Sequence, residues 1–147
     1  MILVDANVII YAYDLGSPRQ PEAAAWLERT LSGDEDVRFP LTTVLAFLRI
    51  TTNPGVFERP LTASNAIGIV RTWLARPNVA VANPTDRHWE VLEATANAGQ
   101  ARGPLLMDAH LAALASEHGA TLATTDRDFA RFPRLRTINP FEASPTS

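Results

Sequence analysis

The sequence predicts an α/β fold: a three-layer α/β/α sandwich around a central, mostly parallel sheet of about five strands. Three observations predict it. Short apolar, strand-like runs are separated by segments of helical periodicity, the pattern of successive βαβ units. Chain breakers such as Asn53-Pro54-Gly55, Gly99 and Gly119 fall between those segments. At 147 residues with 46% hydrophobic side chains, the chain is the size of one domain and can bury a core.

Ile2–Val4 reads as a short buried strand, and Ala6–Tyr13 as a helix leading away from it. Pro18 and Pro21 frame a loop. Residues 22–31 form an amphipathic helix with Trp26, Leu27 and Leu31 inward, stopped by Ser32-Gly33-Asp34. Residues 37–39 are a second strand, followed by a helix over residues 43–51. Thr62 caps a helix running to about residue 75, and Val79–Ala82 is the next strand. Thr85 or Asp86 caps a helix that buries Trp89, Leu92 and Ala96 and ends at Gly99. Leu105–His118 is a helix closed by Gly119 in the left-handed position. Residues 120–123 are strand, 128–132 a helical turn and 135–138 a last strand. With no linker or repeat, residues 1–141 form one domain and residues 142–147 a flexible tail.

Composition narrows the function classes. No apolar run reaches the roughly 18–20 residues of a membrane span. Met1-Ile2-Leu3-Val4-Asp5 lacks the basic region of a signal peptide. Without cysteine there is no disulfide framework and no thiolate metal site. A soluble cytoplasmic protein is expected. The formal net charge of -3 runs against nucleic-acid binding, but all 13 basic residues are arginine, whose planar fork suits phosphate. Arg127, Arg131, Arg134 and Arg136 crowd one stretch, so an acidic protein can still carry a basic rim.

Three aspartates stand where periodicity predicts costly positions. Asp5 follows Ile2-Leu3-Val4 and Asp126 follows Leu122-Ala123-Thr124-Thr125, so both lie at strand carboxyl ends. In an open parallel sheet the crevice beyond those ends is where ligands bind. Asp108 heads an apolar helical stripe of Leu111, Ala112 and Ala115. A carboxylate there needs a partner or a cation, because a helix amino terminus offsets only about 0.3–1 kcal/mol. Singly, each admits a plainer reading: Asp5 and Asp108 as helix caps, Asp126 in an Asx turn. Together they favour one crevice, and hard carboxylate oxygens without cysteine or paired histidines suit Mg²⁺ or Mn²⁺ rather than zinc. Such a site orients a phosphate, stabilises transition-state charge and activates water.

Other residues are less decisive. His110 lies opposite Asp108 on its helix and is expected partly exposed or interfacial; His88 and His118 are expected at the surface. Phe129 and Phe132 among the arginines are either core or a base-stacking platform. Phe47, Leu48, Ile67, Ile69, Val70 and Trp73 are either core or a dimer interface. A phosphatase or receiver domain would want a lysine beside its aspartate, and the chain has none.

Val4-Asp5-Ala6-Asn7, the run from Leu106 through Asp108 to Ala115, and Thr124-Thr125-Asp126-Arg127-Asp128-Phe129 resemble the signature segments of PIN-domain nucleases, most closely the VapC-type toxins. The stretch Leu45-Ala46-Phe47-Leu48-Arg49 with Thr51-Thr52-Asn53-Pro54 is similar to a subgroup abundant in mycobacteria. The ordered set of three segments is specific, although no single one is. The resemblance implies a Mg²⁺- or Mn²⁺-dependent toxic endoribonuclease that cleaves structured RNA, such as tRNA or rRNA, and so inhibits translation. It also implies a homodimer, neutralised by a cognate VapB-type antitoxin whose tail enters the groove. Carried over, Asp5, Asp108 and Asp126 take the acidic metal positions. Asn7 orients Asp5, while Thr125 and Asp128 are supplementary and Arg127 and Arg131 face RNA. One departure is Ala46, where many members carry a glutamate; it puts a second ion in doubt and keeps open a catalytically inactive RNA- or antitoxin-binding module. Glu90 and Glu93 are substitutes only in principle, since Glu93 falls towards the wet face.

Overall fold

The computed structural model describes residues 1–142, so nearly all of the expected tail lies outside the described residues. The elements run β1 (Ile2–Val4), α1 (Ala6–Tyr13), α2 (Gln20–Ser32), β2 (Val37–Pro40), α3 (Leu41–Thr51), α4 (Ala63–Leu74), β3 (Val79–Ala82), α5 (His88–Ala98), α6 (Leu105–His118), β4 (Thr121–Ala123), a 3₁₀ turn (Arg127–Arg131) and β5 (Thr137–Ile138). The five strands form one sheet in the order β3-β2-β1-β4-β5, and every pairing is parallel. The predicted sandwich is therefore the fold, with α1 to α4 packed through one apolar cluster and α5, α6 and the 3₁₀ turn through another.

This order positions the site. The chain steps outward from β1 to β2 and β3, then returns through α5 and α6 to lay β4 on the other flank of β1. The direction reverses between β1 and β4, which makes the carboxyl ends of those two strands the topological switch point. Val4 pairs with Ala123, and the Asp5 amide donates to Ala123 O at 3.0 Å, so the two strand ends are level. Thr43 Oγ1 donates to Val4 O at 2.9 Å, fixing the start of α3 beside the same end.

Several boundaries differ from the sequence reading for local reasons. Pro21 lies in the first turn of α2, where its missing N–H would be unpaired anyway. Neither Thr85 nor Asp86 caps α5, because Arg87 occupies that place without a side-chain bond and Thr85 turns to Glu117. Trp89 is exposed (77%) rather than buried; His88 takes the inward position (4% exposed), and adjacent helical residues project on different faces. His88 thus corrects the surface placement expected for it. Phe129 and Phe132 are core, 2% and 3% exposed, which removes them as a stacking platform. Phe47, Val70 and Trp73 are also core, with Trp73 stacked on Phe39 at 5.0 Å; of the proposed interface residues only Ile67 is well exposed.

Candidate active site

Asp5 and Asp126 enter the crevice for the same reason: each is the helix-capping residue where a switch-point strand gives way to a helical turn. Asp5 Oδ1 accepts the Ala6 amide at 2.7 Å at the start of α1. Asp126 Oδ1 accepts the Asp128 amide at 2.8 Å. The plainer capping and Asx-turn readings are thus geometrically true of both. They account for one oxygen of each carboxylate.

The second oxygen of Asp5 is held by side chains. Thr124 Oγ1 donates to Asp5 Oδ2 at 2.7 Å, and Asn7 Nδ2 donates to it at 3.2 Å. Asn7 Oδ1 in turn accepts the Thr125 amide at 3.3 Å, tying α1 to the loop after β4. Thr124 Oγ1 also accepts the Asp126 amide at 3.0 Å. One buried hydroxyl therefore links both strand-end aspartates. Thr125, expected as a supplementary side chain, contributes its backbone amide, and Thr124 supplies the hydroxyl. The signal available was Thr124's place immediately after β4, level with Asp5.

Asp108 reaches the crevice from the first turn of α6. Its pKa is raised by burial first, then by the charges of Asp126, Asp5 and Asp128, with Arg131 acting in the opposite sense. Asp5 is raised by burial above all; the bonds from Thr124, Ala6 and Asn7 pull it down, and Asp126 pushes it up. Hydrogen bonding thus leaves Asp5 short of compensation, and three carboxylates share a crevice with too little positive charge. Asp128 itself is exposed and contributes its amide to the turn more directly than its carboxylate to the crevice. Arg127 and Arg131 are exposed on the rim, and Arg131 Nη1 is anchored on Gly99 O at 3.1 Å.

The histidines stand apart. His88 Nδ1 lies 2.6 Å from Glu117 Oε2, and His88 Nε2 lies 3.1 Å from His110 Nδ1. Burial, then the neighbouring His88, lowers the His110 pKa. Among the described residues, no three Asp, Glu, His or Cys side chains close tightly enough to cage an ion by themselves. The donors around the crevice are all oxygens, a set that fits a hard cation keeping several of its waters. Ala46 supplies no carboxylate from α3, and Glu90 and Glu93 are both exposed on α5.

Residues 2–135 match the PIN domain family. The chain is 41% identical over 140 residues to Ribonuclease VapC37 of Mycobacterium tuberculosis, covering 95% of this chain and 97% of that one. This chain is a PIN-domain protein of the VapC ribonuclease family. A second relative of this PIN domain, Ribonuclease VapC43 of the same species, is 37% identical over 142 residues, covering 97% of each chain. Solved structures share the fold. VapBC2 from Rickettsia felis, bound to a promoter DNA fragment, superposes with a TM-score of 0.67 at 16% identity over 95% of this chain and 98% of that one. The Mycobacterium tuberculosis toxin VapC20 gives 0.62 at 16% identity over 92% and 99%. The expected mycobacterial likeness is met by these Mycobacterium tuberculosis relatives, and among the described residues no helix is long and apolar enough to cross a membrane.

Proposed function

We propose that this PIN domain is a Mg²⁺- or Mn²⁺-dependent endoribonuclease toxin that cleaves structured cellular RNA, tRNA or rRNA, in the cytoplasm. In this reading it acts as a homodimer and is neutralised by a cognate VapB-type antitoxin. The observation that carries the reading is the charge deficit at the switch point, where Asp5 and Asp108 are both raised by burial and by neighbouring carboxylates. Such a cluster is costly on its own and well suited to a divalent cation. The relatives' designation as ribonucleases supports the choice of RNA, and a toxin–antitoxin complex from Klebsiella pneumoniae shares the fold at 25% identity and a TM-score of 0.61.

Asp5, Asp108 and Asp126 would hold the ion, which supplies positive charge for phosphate oxygens and for water activation. The protein's own part is orientation. Thr124 and Asn7 fix the Asp5 carboxylate, and Thr124 fixes the amide of Asp126. Arg131, braced on Gly99, and Arg127 face the flanking phosphates of a bound strand. The test is cleavage of total bacterial RNA by purified protein in Mg²⁺, Mn²⁺ or EDTA, beside Asp5→Asn and Asp108→Asn. Discrete metal-dependent fragments that vanish in both variants are expected. A folded, antitoxin-free protein that cleaves nothing would favour the inactive binding module, and cleavage surviving both substitutions would refute the site.

A further inference from the structure

Arg134 and Arg136 belong to a basic strip that starts at the crevice rim and leads away from it. Between α5, α6 and the segment before β5 lies a groove of about 700 Å³, lined by none of the crevice aspartates. It follows α5 from Arg87 to Ala98, about 16 Å at 1.5 Å per residue. Ala98 precedes Gly99, whose carbonyl anchors Arg131 on the rim, so one end of the groove adjoins the crevice. The floor is closed: Ala112, Ala115 and Phe132 are only 3%, 1% and 3% exposed. A ligand therefore meets the rim. Arg87, Arg134 and Arg136 are all exposed there against a single lining acid, Glu90, reversing the sign of a chain whose formal net charge is -3. Among the described residues no carboxylate lies within ion-pair distance of any of the three. Arg136 is braced in place, with Nη2 donating to Gly119 O at 3.0 Å.

We propose that this strip is a second RNA site, which takes the phosphate backbone of a duplex stem flanking the segment held in the crevice. The inference rests on the ribonuclease reading and names the part of a structured substrate that the crevice does not hold. Guanidinium forks pair with phosphate oxygens in bidentate fashion. Three of them without carboxylate partners, spread along the groove, suit a ligand whose anions repeat at short, regular intervals, as those of a nucleic-acid backbone do. The stem is favoured over a single strand because the groove has no exposed ring on which unpaired bases could stack. Duplex RNA needs none, since it is recognised by shape and by its phosphates. A protein segment fits less well, because the closed floor offers no pocket for the apolar anchors that groove docking uses. The strip thus selects for structure without reading sequence.

The test compares the full chain with Arg87→Ser/Arg134→Ser and with Arg87→Lys/Arg134→Lys, which keeps the charge. Fluorescence anisotropy in EDTA follows a fluorescein-labelled RNA hairpin, the same loop sequence without its stem, and a labelled glutamate-rich peptide. The serine pair should bind the hairpin at least about tenfold more weakly, with a salt slope smaller by about two and Tm unchanged. The lysine pair should keep most of the slope, and the stemless strand should bind all three proteins alike. In Mg²⁺, the serine pair should show a raised KM for the hairpin with kcat unchanged. Hairpin affinity and salt slope untouched by the serine pair, in a protein that still cleaves RNA, would overturn this inference and leave the ribonuclease reading standing. Equal loss of hairpin and strand would overturn it too, reducing the arginines to diffuse charge. Binding of the peptide that is lost in the serine pair, while hairpin binding is kept, would overturn it in favour of an acidic protein segment. A wild-type chain that neither binds nor cleaves RNA would sink the ribonuclease reading and this inference together.

Discussion

Asp5→Asn should abolish cleavage while making the metal-free protein more stable. Asp5 accepts three hydrogen bonds, from Ala6, Thr124 and Asn7, yet burial keeps its pKa raised. The folded state therefore binds the carboxyl proton more tightly than the unfolded chain does. The stability this contributes is complete below the unfolded pKa of about 3.9 and is lost as pH rises through the higher folded value. At neutral pH the ionised Asp5 is a net cost to folding. Asparagine keeps the shape and the oxygen that accepts the Ala6 amide, removes the charge, and gives up the acceptor that faces Thr124 and Asn7. Removing that cost should raise the Tm of the metal-free protein, by about 2–4 °C for each kcal/mol recovered in a domain of this size. Thermal scans in EDTA should show the variant above the wild type near neutral pH, with the gap closing towards about pH 4. Adding Mg²⁺ should reverse the ranking, because only the wild type gains binding free energy, about 2.7 kcal/mol at a hundredfold excess over Kd. A lower Tm for the variant in EDTA, or a gap independent of pH, would refute the reasoning: the three hydrogen bonds would then suffice and no cation would be called for.

Three further outcomes are expected. Thr124→Val removes the hydroxyl that lowers the Asp5 pKa and satisfies the Asp126 amide, so the acid limb of the kcat/KM profile should move to higher pH and stability should fall by about 1–3 kcal/mol; an unmoved limb would contradict an essential ionised Asp5. Gly99→Ala would place a Cβ 2.6 Å from the Phe132 ring beneath Arg131's anchor, costing about 1–3 kcal/mol by overpacking and weakening RNA binding, read by thermal scan and by KM. Burial alone would raise the Glu117 pKa, but bonds from His88 and then Thr85 hold it below its ordinary value. Its stabilisation is present above the unfolded pKa and lost as pH falls through the folded one, so Glu117→Gln should lower Tm near neutral pH, with the difference shrinking on acidification.

What the sequence made legible follows from period and punctuation. Ile2–Val4, Ala6–Tyr13, Val79–Ala82 and Leu105–His118 were readable to the residue because strong apolar runs end at a capping aspartate, a turn or Gly119, whose φ of 64° is the left-handed cap expected of it. The two strand-end aspartates were legible because any parallel sheet presents its strand ends to a crevice. Long-range pairing was not legible. That the Thr124 hydroxyl rather than Thr125 spans from β4 to Asp5 depends on register between strands more than a hundred residues apart in sequence. The inward turn of His88 depends on Glu117, a partner on another helix, so the local pattern assigned the buried position to Trp89 instead. Phe129 and Phe132 read ambiguously because aromatic residues among arginines look alike whether they face a core or a base.

The most direct test of the central account is calorimetric titration of Mn²⁺ into the metal-free protein and into Asp5→Asn, Asp108→Asn and Asp126→Asn. The account predicts saturable binding by the wild type and marked weakening in all three variants. Binding that persists undiminished in the three variants would place the ion elsewhere and contradict a crevice built from these carboxylates.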